Sequence, residues 1–146
     1  MAPLMGLLAP LMAASQPPAP AHPGRNLIIA VEGRKLSKQQ EAFLAEFQPG
    51  GVVLLGGNIS GRGQTLALTQ AIKQATGGGA GLADYPLMYV DQEGGRINRL
   101  RLDGAPSAAA LGRLNDGEAA RETGAGFARE AAARGKDGRL FSWGNV

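Results

Sequence analysis

From Asn26 onward the chain alternates between short apolar runs and longer segments with helical spacing. "NLIIAV" (26–31), "VVLLGG" (52–57) and "PLMYV" (86–90) are continuous apolar runs. Strands covered on both faces read this way, because neither face has to be polar. "LSKQQEAFLAEF" (36–47) places Phe43, Leu44 and Phe47 on one face of a helix. Ser37 and Gln40 have the spacing of a capping box, and Pro49, Gly50 and Gly51 stop the helix. A second helix is expected from about Gln64 to Ala75, with Leu68 and Ile72 one turn apart. "PSAAALGRL" (106–114) suits a short helix with Pro106 in its first turn. Asn115 with Glu118 resembles another capping box, opening a helix to about Arg134 with Ala120, Phe127 and Ala131 inward.

Strand and helix thus alternate three times, which predicts a parallel α/β sheet with helices outside. A doubly wound sheet and a (β/α)8 barrel both fit that alternation. A complete barrel typically takes ~250 residues. These 146 residues supply three such strands, so the expectation is a small open sheet or part of a barrel.

Composition narrows the function more than the fold. The 23 glycines are roughly twice the usual share and cluster between the apolar runs, as in "TGGGAGLAD" (76–84). The formal net charge of +3 is small and evenly spread, and no basic run carries interleaved aromatics. Nucleic acid is therefore not an expected partner. The chain has no cysteine, which excludes disulfides, zinc–thiolate sites and a Cys nucleophile. Its one histidine, His22, lies in the Pro-rich stretch "SQPPAPAHPG" (15–24), which reads as a linker. No metal site and no cofactor are expected.

Residues 1–25 form an apolar, Pro-rich extension. The segment ends in Ala19-Pro20-Ala21, an A-x-A pattern like that of a secretory leader. No Lys or Arg precedes its apolar run, however, and Pro10 interrupts it. The run is too short and broken to span a bilayer. A cytoplasmic location is expected, with export to the periplasm or beyond as the alternative if residues 1–21 act as a leader.

The stretch that carries chemistry is "DQEGGRINRLR" (91–101). In parallel α/β folds the C-terminal ends of strands face the ligand. Asp91 is expected one residue past the third strand, with Gly94 and Gly95 allowing a sharp turn behind it. Arg99 follows eight residues later. A carboxylate and a guanidinium converging on one pocket can grip adjacent sugar hydroxyls, one accepting and the other donating through a fork. The plain alternative is a salt-bridged surface turn. "GGNISGRG" (56–63) lacks the Gly-Lys-Ser/Thr of a phosphate loop. There Asn58 is a turn residue or a polar lining residue. Trp143 and Phe141 carry no assigned role.

"FQPGGVVLLGGNI" (47–59), "DQEGGRINRLR" (91–101) and "PSAAALG" (106–112), in this order and spacing, resemble glycoside hydrolase family 3, in particular its bacterial β-N-acetylhexosaminidase branch. The resemblance covers about residues 26–134 and implies the first three βα units of a (β/α)8 TIM barrel. It further implies hydrolysis of O-glycosyl bonds that releases terminal N-acetylglucosamine from glycans such as peptidoglycan fragments. Asp91 and Arg99 match the residues that bind sugar hydroxyls in that family, and Gly94 and Gly95 shape their loop. The mechanism implied is retaining, with a His acid/base and an Asp nucleophile on later strands. No residue here matches either, and residues 135–146 diverge from the family pattern. The chain is therefore expected to be a truncated portion, inactive by itself. A non-catalytic sugar- or muropeptide-binding module is the alternative.

Overall fold

The computed structural model describes residues 22–77, 86–135 and 140–143. The proposed leader and most of the glycine-rich connection lie outside them. So do the side chains of Phe141 and Trp143. The chain opens with a 3₁₀ turn at Pro23–Asn26. Then come β1 (Ile28–Ala30), α1 (Lys38–Phe47), β2 (Gly51–Leu54) and α2 (Arg62–Ala75). They are followed by β3 (Leu87–Gly94), β4 (Ile97–Asn98), α3 (Ala108–Leu114), α4 (Gly117–Arg134) and β5 (Leu140–Trp143).

β1, β2, β3 and β5 lie side by side in that order, all parallel. The register runs Ile29↔Val52↔Met88↔Leu140 across the sheet. β4 turns back antiparallel on the far end of β3, with a bulge between Gln92 and Gly94. Mixed α/β is therefore the observed class.

Alternation along the strands sorts the side chains onto two faces. Val52, Leu54, Met88 and Val90 pack with Leu44 of α1, Leu68 and Ile72 of α2 and Ala131 of α4 in one core. The other face carries Ile28, Val53, Leu87 and Tyr89. There Ile28 is 49% exposed and Leu87 is 39% exposed. The continuous apolar runs led to an expectation of burial on both faces. Among the described residues, only the helix-facing side is a closed core.

Several boundaries differ from the sequence reading, and each difference has a physical cause. The tail was read without a strand, yet Leu140–Trp143 pairs with β3. Among the described residues that pairing makes four parallel strands rather than three. The expected Asn115 cap of α4 is supplied by Asp116, whose carboxylate accepts from the Glu118 and Ala119 amides at 2.9 and 3.2 Å. Asn115 instead ends α3 in the left-handed region at φ 50°, a conformation Asn tolerates well. Pro106 precedes α3, whose cap is Ser107. On α1 the Ser37–Gln40 box forms as read. Leu44 alone is fully buried on that helix, while Phe43 stacks on Phe47 at 5.0 Å between ring centroids and stays half exposed. On α4, Ala131 is buried, Phe127 is half-buried and Ala120 is exposed.

Candidate functional site

Asp91 lies inside β3 rather than past its end, because β5 continues the ladder to Asp91↔Trp143. Alternation places it on the same face as Tyr89 and Glu93, opposite buried Val90 and Gln92. Beyond it the strand enters the hairpin with β4. Gly94 and Gly95 sit in the turn with φ +77° and +53°. A Cβ at Gly94 would lie 1.9 Å from the Pro106 carbonyl oxygen, and one at Gly95 would lie 2.8 Å from Ser107 Cβ. Both positions therefore need glycine twice over, for the left-handed backbone and for the close approach of the Pro106–Ser107 segment. The Gly95 amide donates to the Ala105 carbonyl at 3.0 Å and pins the turn under that segment.

The hairpin folds the chain back and brings Arg99 to Asp91. Their closest atoms, Arg99 Nη2 and Asp91 Oδ2, are 3.6 Å apart, and each side chain is 33% exposed. That is an ion pair without a hydrogen bond of normal length. The carboxylate lone pairs and the Nη groups of the guanidinium are thus only partly engaged by each other, while Arg99 Nε is buried. The guanidinium also lies along Gly56, in the 3₁₀ turn Gly56–Asn58 after β2, where a Cβ would be 3.3 Å from Arg99 Nη1. Sequence reading did not single out Gly56 as part of this site. Its signal was its position at the ligand end of the second strand.

Asn58 is a cross-brace and not a lining residue. It is 2% exposed. Its oxygen accepts from the Leu55 amide at 2.7 Å. Its nitrogen donates to the Val31 and Gly33 carbonyls at 2.9 and 2.6 Å. The buried amide thus ties the chain leaving β1 to the chain leaving β2, with its polar atoms satisfied as burial requires.

Two supports of the backbone around Arg99 were invisible in the sequence. Gln92, 2% exposed, accepts from the Leu100 amide at 2.9 Å and donates to Asn98 Oδ1 at 3.1 Å. Asn98 in turn closes a turn on Leu102, accepting from its amide at 2.9 Å and donating to its carbonyl at 2.8 Å. Only the alternation along β3 hinted that Gln92 points inward. Glu93 and Arg96, two of the three other charges of the stretch, line a separate cleft with Ile97, Ser107 and Ala108. Among the described residues no group of three or more His, Asp or Glu side chains could hold a metal ion, and no helix is long and apolar enough to cross a membrane.

A carboxylate within β3 paired with an arginine, and a glycine hairpin behind them, invite comparison with known proteins. The pattern described as the glycosyl hydrolase family 3 N terminal domain matches residues 21–140. A β-hexosaminidase of Bordetella avium is 35% identical over 135 residues, covering 86% of this chain and 37% of that protein. A β-hexosaminidase of Vibrio cholerae is 41% identical over 76 residues, covering 51% of this chain and 21% of its own length. Among solved structures, the family 3 β-N-acetylglucosaminidase of Paenibacillus superposes with a TM-score of 0.66 at 26% identity, covering 76% of this chain and 21% of that one. NagZ of Neisseria gonorrhoeae superposes with a TM-score of 0.59 at 27% identity, covering 75% and 33%. The chain thus spans about a third, or less, of the relatives it matches. With the family pattern covering most of its length and the glycine hairpin in place, the chain belongs to glycosyl hydrolase family 3, in the N-terminal domain of that family.

Proposed function

We propose that this chain carries the hydroxyl-gripping part of a β-N-acetylhexosaminidase site, which releases terminal N-acetylglucosamine from glycans such as peptidoglycan fragments. One observation carries the reading. Asp91 and Arg99 meet at 3.6 Å, each a third exposed, where the parallel ladder gives way to the hairpin. A carboxylate accepts from one hydroxyl while the guanidinium fork donates to its neighbour, which suits vicinal hydroxyls on a sugar ring. Gly94 and Gly95 let the hairpin fold tightly enough to present Arg99.

The sheet is read here as an arc of a (β/α)8 barrel. Its order β1-β2-β3-β5 never reverses, and right-handed crossovers moving one way leave all the helices on one face. A doubly wound sheet needs a reversal. The uncovered face, with Ile28, Val53, Leu87 and Tyr89, would be the barrel lining, and Asp91 would stand at its mouth. On this reading residues 26–134 are the barrel portion, and residues 1–25 are a cytoplasmic extension or, alternatively, an export leader.

Bond cleavage in the family pattern needs a His acid/base and an Asp nucleophile, which no residue of the 146 matches. His22, the one histidine, precedes the sheet. The chain alone should therefore bind the sugar without cutting it. The test titrates N-acetylglucosamine into the purified chain by NMR. Wild type is expected to bind, and Asp91→Ala and Arg99→Ala each to bind about tenfold more weakly, the scale of a lost charge-assisted hydrogen bond. Equal affinity in all three would remove the subsite assignment. Release of chromophore from an aryl β-N-acetylglucosaminide by this chain would overturn its inactivity.

A further inference from the structure

Arg134 sits at the end of α4, far along the chain from Arg99, and is 6% exposed. A buried guanidinium is costly unless it is paired and hydrogen-bonded, and an apolar side chain of similar volume often serves stability as well or better. Where its N–H groups go is therefore informative. Nη1 meets the Glu130 carboxylate and donates to the Glu130 carbonyl at 3.1 Å. Nη2 leaves the helix altogether and donates to the carbonyl of Leu100 at 3.1 Å.

Leu100 is the residue after Arg99 and is 1% exposed. Both of its backbone polar groups end on buried side chains. Its N–H goes to Gln92 Oε1 at 2.9 Å and its C=O to Arg134 Nη2 at 3.1 Å. On the other side of Arg99, Asn98 is locked to Leu102 by two side-chain bonds. The chain carrying Arg99 is therefore held from β3, from its own turn and from α4. The turn by itself is strained, since Arg101 lies at φ +54°, a region that costs a non-glycine residue about 1 kcal/mol or more. Something outside the turn has to hold it, and α4 supplies the charged contact.

We infer that Arg134 is a positioning residue for Arg99, acting through the Leu100 carbonyl and anchored by Glu130. This inference rests on the reading of Asp91 and Arg99 as a sugar subsite. It adds that α4 sets the geometry of that subsite without touching the ligand.

The test is a double-mutant cycle on the full 146-residue chain, read by NMR titration with N-acetylglucosamine. Arg134→Met is expected to weaken binding about threefold in the wild-type background and to have no effect in the Arg99→Ala background, since coupled residues do not add. The Arg99 Nε–Hε resonance of the sugar-free protein should shift in Arg134→Met. An equal loss of affinity in both backgrounds would show a general structural effect and overturn the inference. So would an unchanged affinity with an unchanged Arg99 resonance. Should Arg134→Met fail to fold, Arg134→Lys takes its place in the same cycle. It keeps the charge but lacks the fork that reaches Glu130 and Leu100 together, so a smaller weakening and a shifted Arg99 resonance are expected. If wild type binds no sugar, the subsite reading fails by itself. The Arg99 resonance then decides the positioning role, with a shift supporting it and none refuting it.

Discussion

Arg99 reaches Asp91 because two glycines let the chain turn back within the seven residues that separate them. Gly94 is the less replaceable of the two, with φ +77° and the Pro106 carbonyl 1.9 Å from where a Cβ would stand. Gly94→Ala should open the hairpin, with hydrogen exchange at the Gly95 amide at least about tenfold faster, equivalent to ~1.4 kcal/mol of lost protection. Gly57→Ala is the control, since nothing lies within 4 Å of its Cβ position. Equal exchange rates in the two variants would mean that the hairpin tolerates a side chain at residue 94. At this scale the glycine turn and the approach of Arg99 to Asp91 were legible in the sequence, because spacing and turn chemistry are local. Gln92 and Asn58 were not legible. An amide side chain looks the same whether it binds a ligand or braces a backbone, and only its partners decide.

The elements were read well where local chemistry governs them. The Ser37–Gln40 box and the leucine–isoleucine pair of α2 formed as expected. The start of α4 was missed by one residue, since Asn115 and Asp116 are both good caps and the competition was settled by α3 ending at Asn115 in the left-handed region. Asp116→Ala should therefore weaken α4 by about 1 kcal/mol, whereas Asn115→Gly should be near neutral. Amide exchange along the first turn of α4 would distinguish them, and the opposite ranking would restore Asn115 as the cap.

Later in α4, the Glu130 carboxyl titrates below its ordinary value. The main cause is its hydrogen bond with Arg134, which outweighs the upward push of desolvation. A carboxyl with a depressed pKa stabilises the fold above its unfolded value and loses that contribution as pH falls through the folded value. The contact between Glu130 and Arg134 should accordingly weaken as pH drops below about 4.5, the ordinary value. In Glu130→Gln that portion of the acid destabilisation should be absent. A pH series of wild type and variant, followed by the Arg134 side-chain resonances, checks it. An identical acid response would show that the pair contributes nothing.

At the scale of the molecule, the sheet has helices on one face and half-exposed Ile28 and Leu87 on the other. Parallel sheets ordinarily bury both faces, and an uncovered apolar face with free strand edges is prone to association. The purified chain is expected to self-associate increasingly as its concentration is raised and to melt over a broad range. A monodisperse monomer in light scattering that unfolds cooperatively with heat would contradict this.

By itself the sequence determined the alternation of strand and helix and the glycine turn of residues 91–101, because these depend on local patterns of polarity, capping and turn chemistry, and its motifs pointed to the family. Tertiary structure alone decided how far β3 extends, that the tail adds a strand, which face of the sheet is a closed core among the described residues and which buried groups hold the backbone beside Arg99. A strand ends where its partners stop pairing, and a buried polar side chain acquires its role from whatever lies opposite it. Neither is written in the neighbouring residues. The bond from Arg134 to the Leu100 carbonyl joins positions 34 residues apart, and it exists only because α4 packs across the hairpin that the glycines allow.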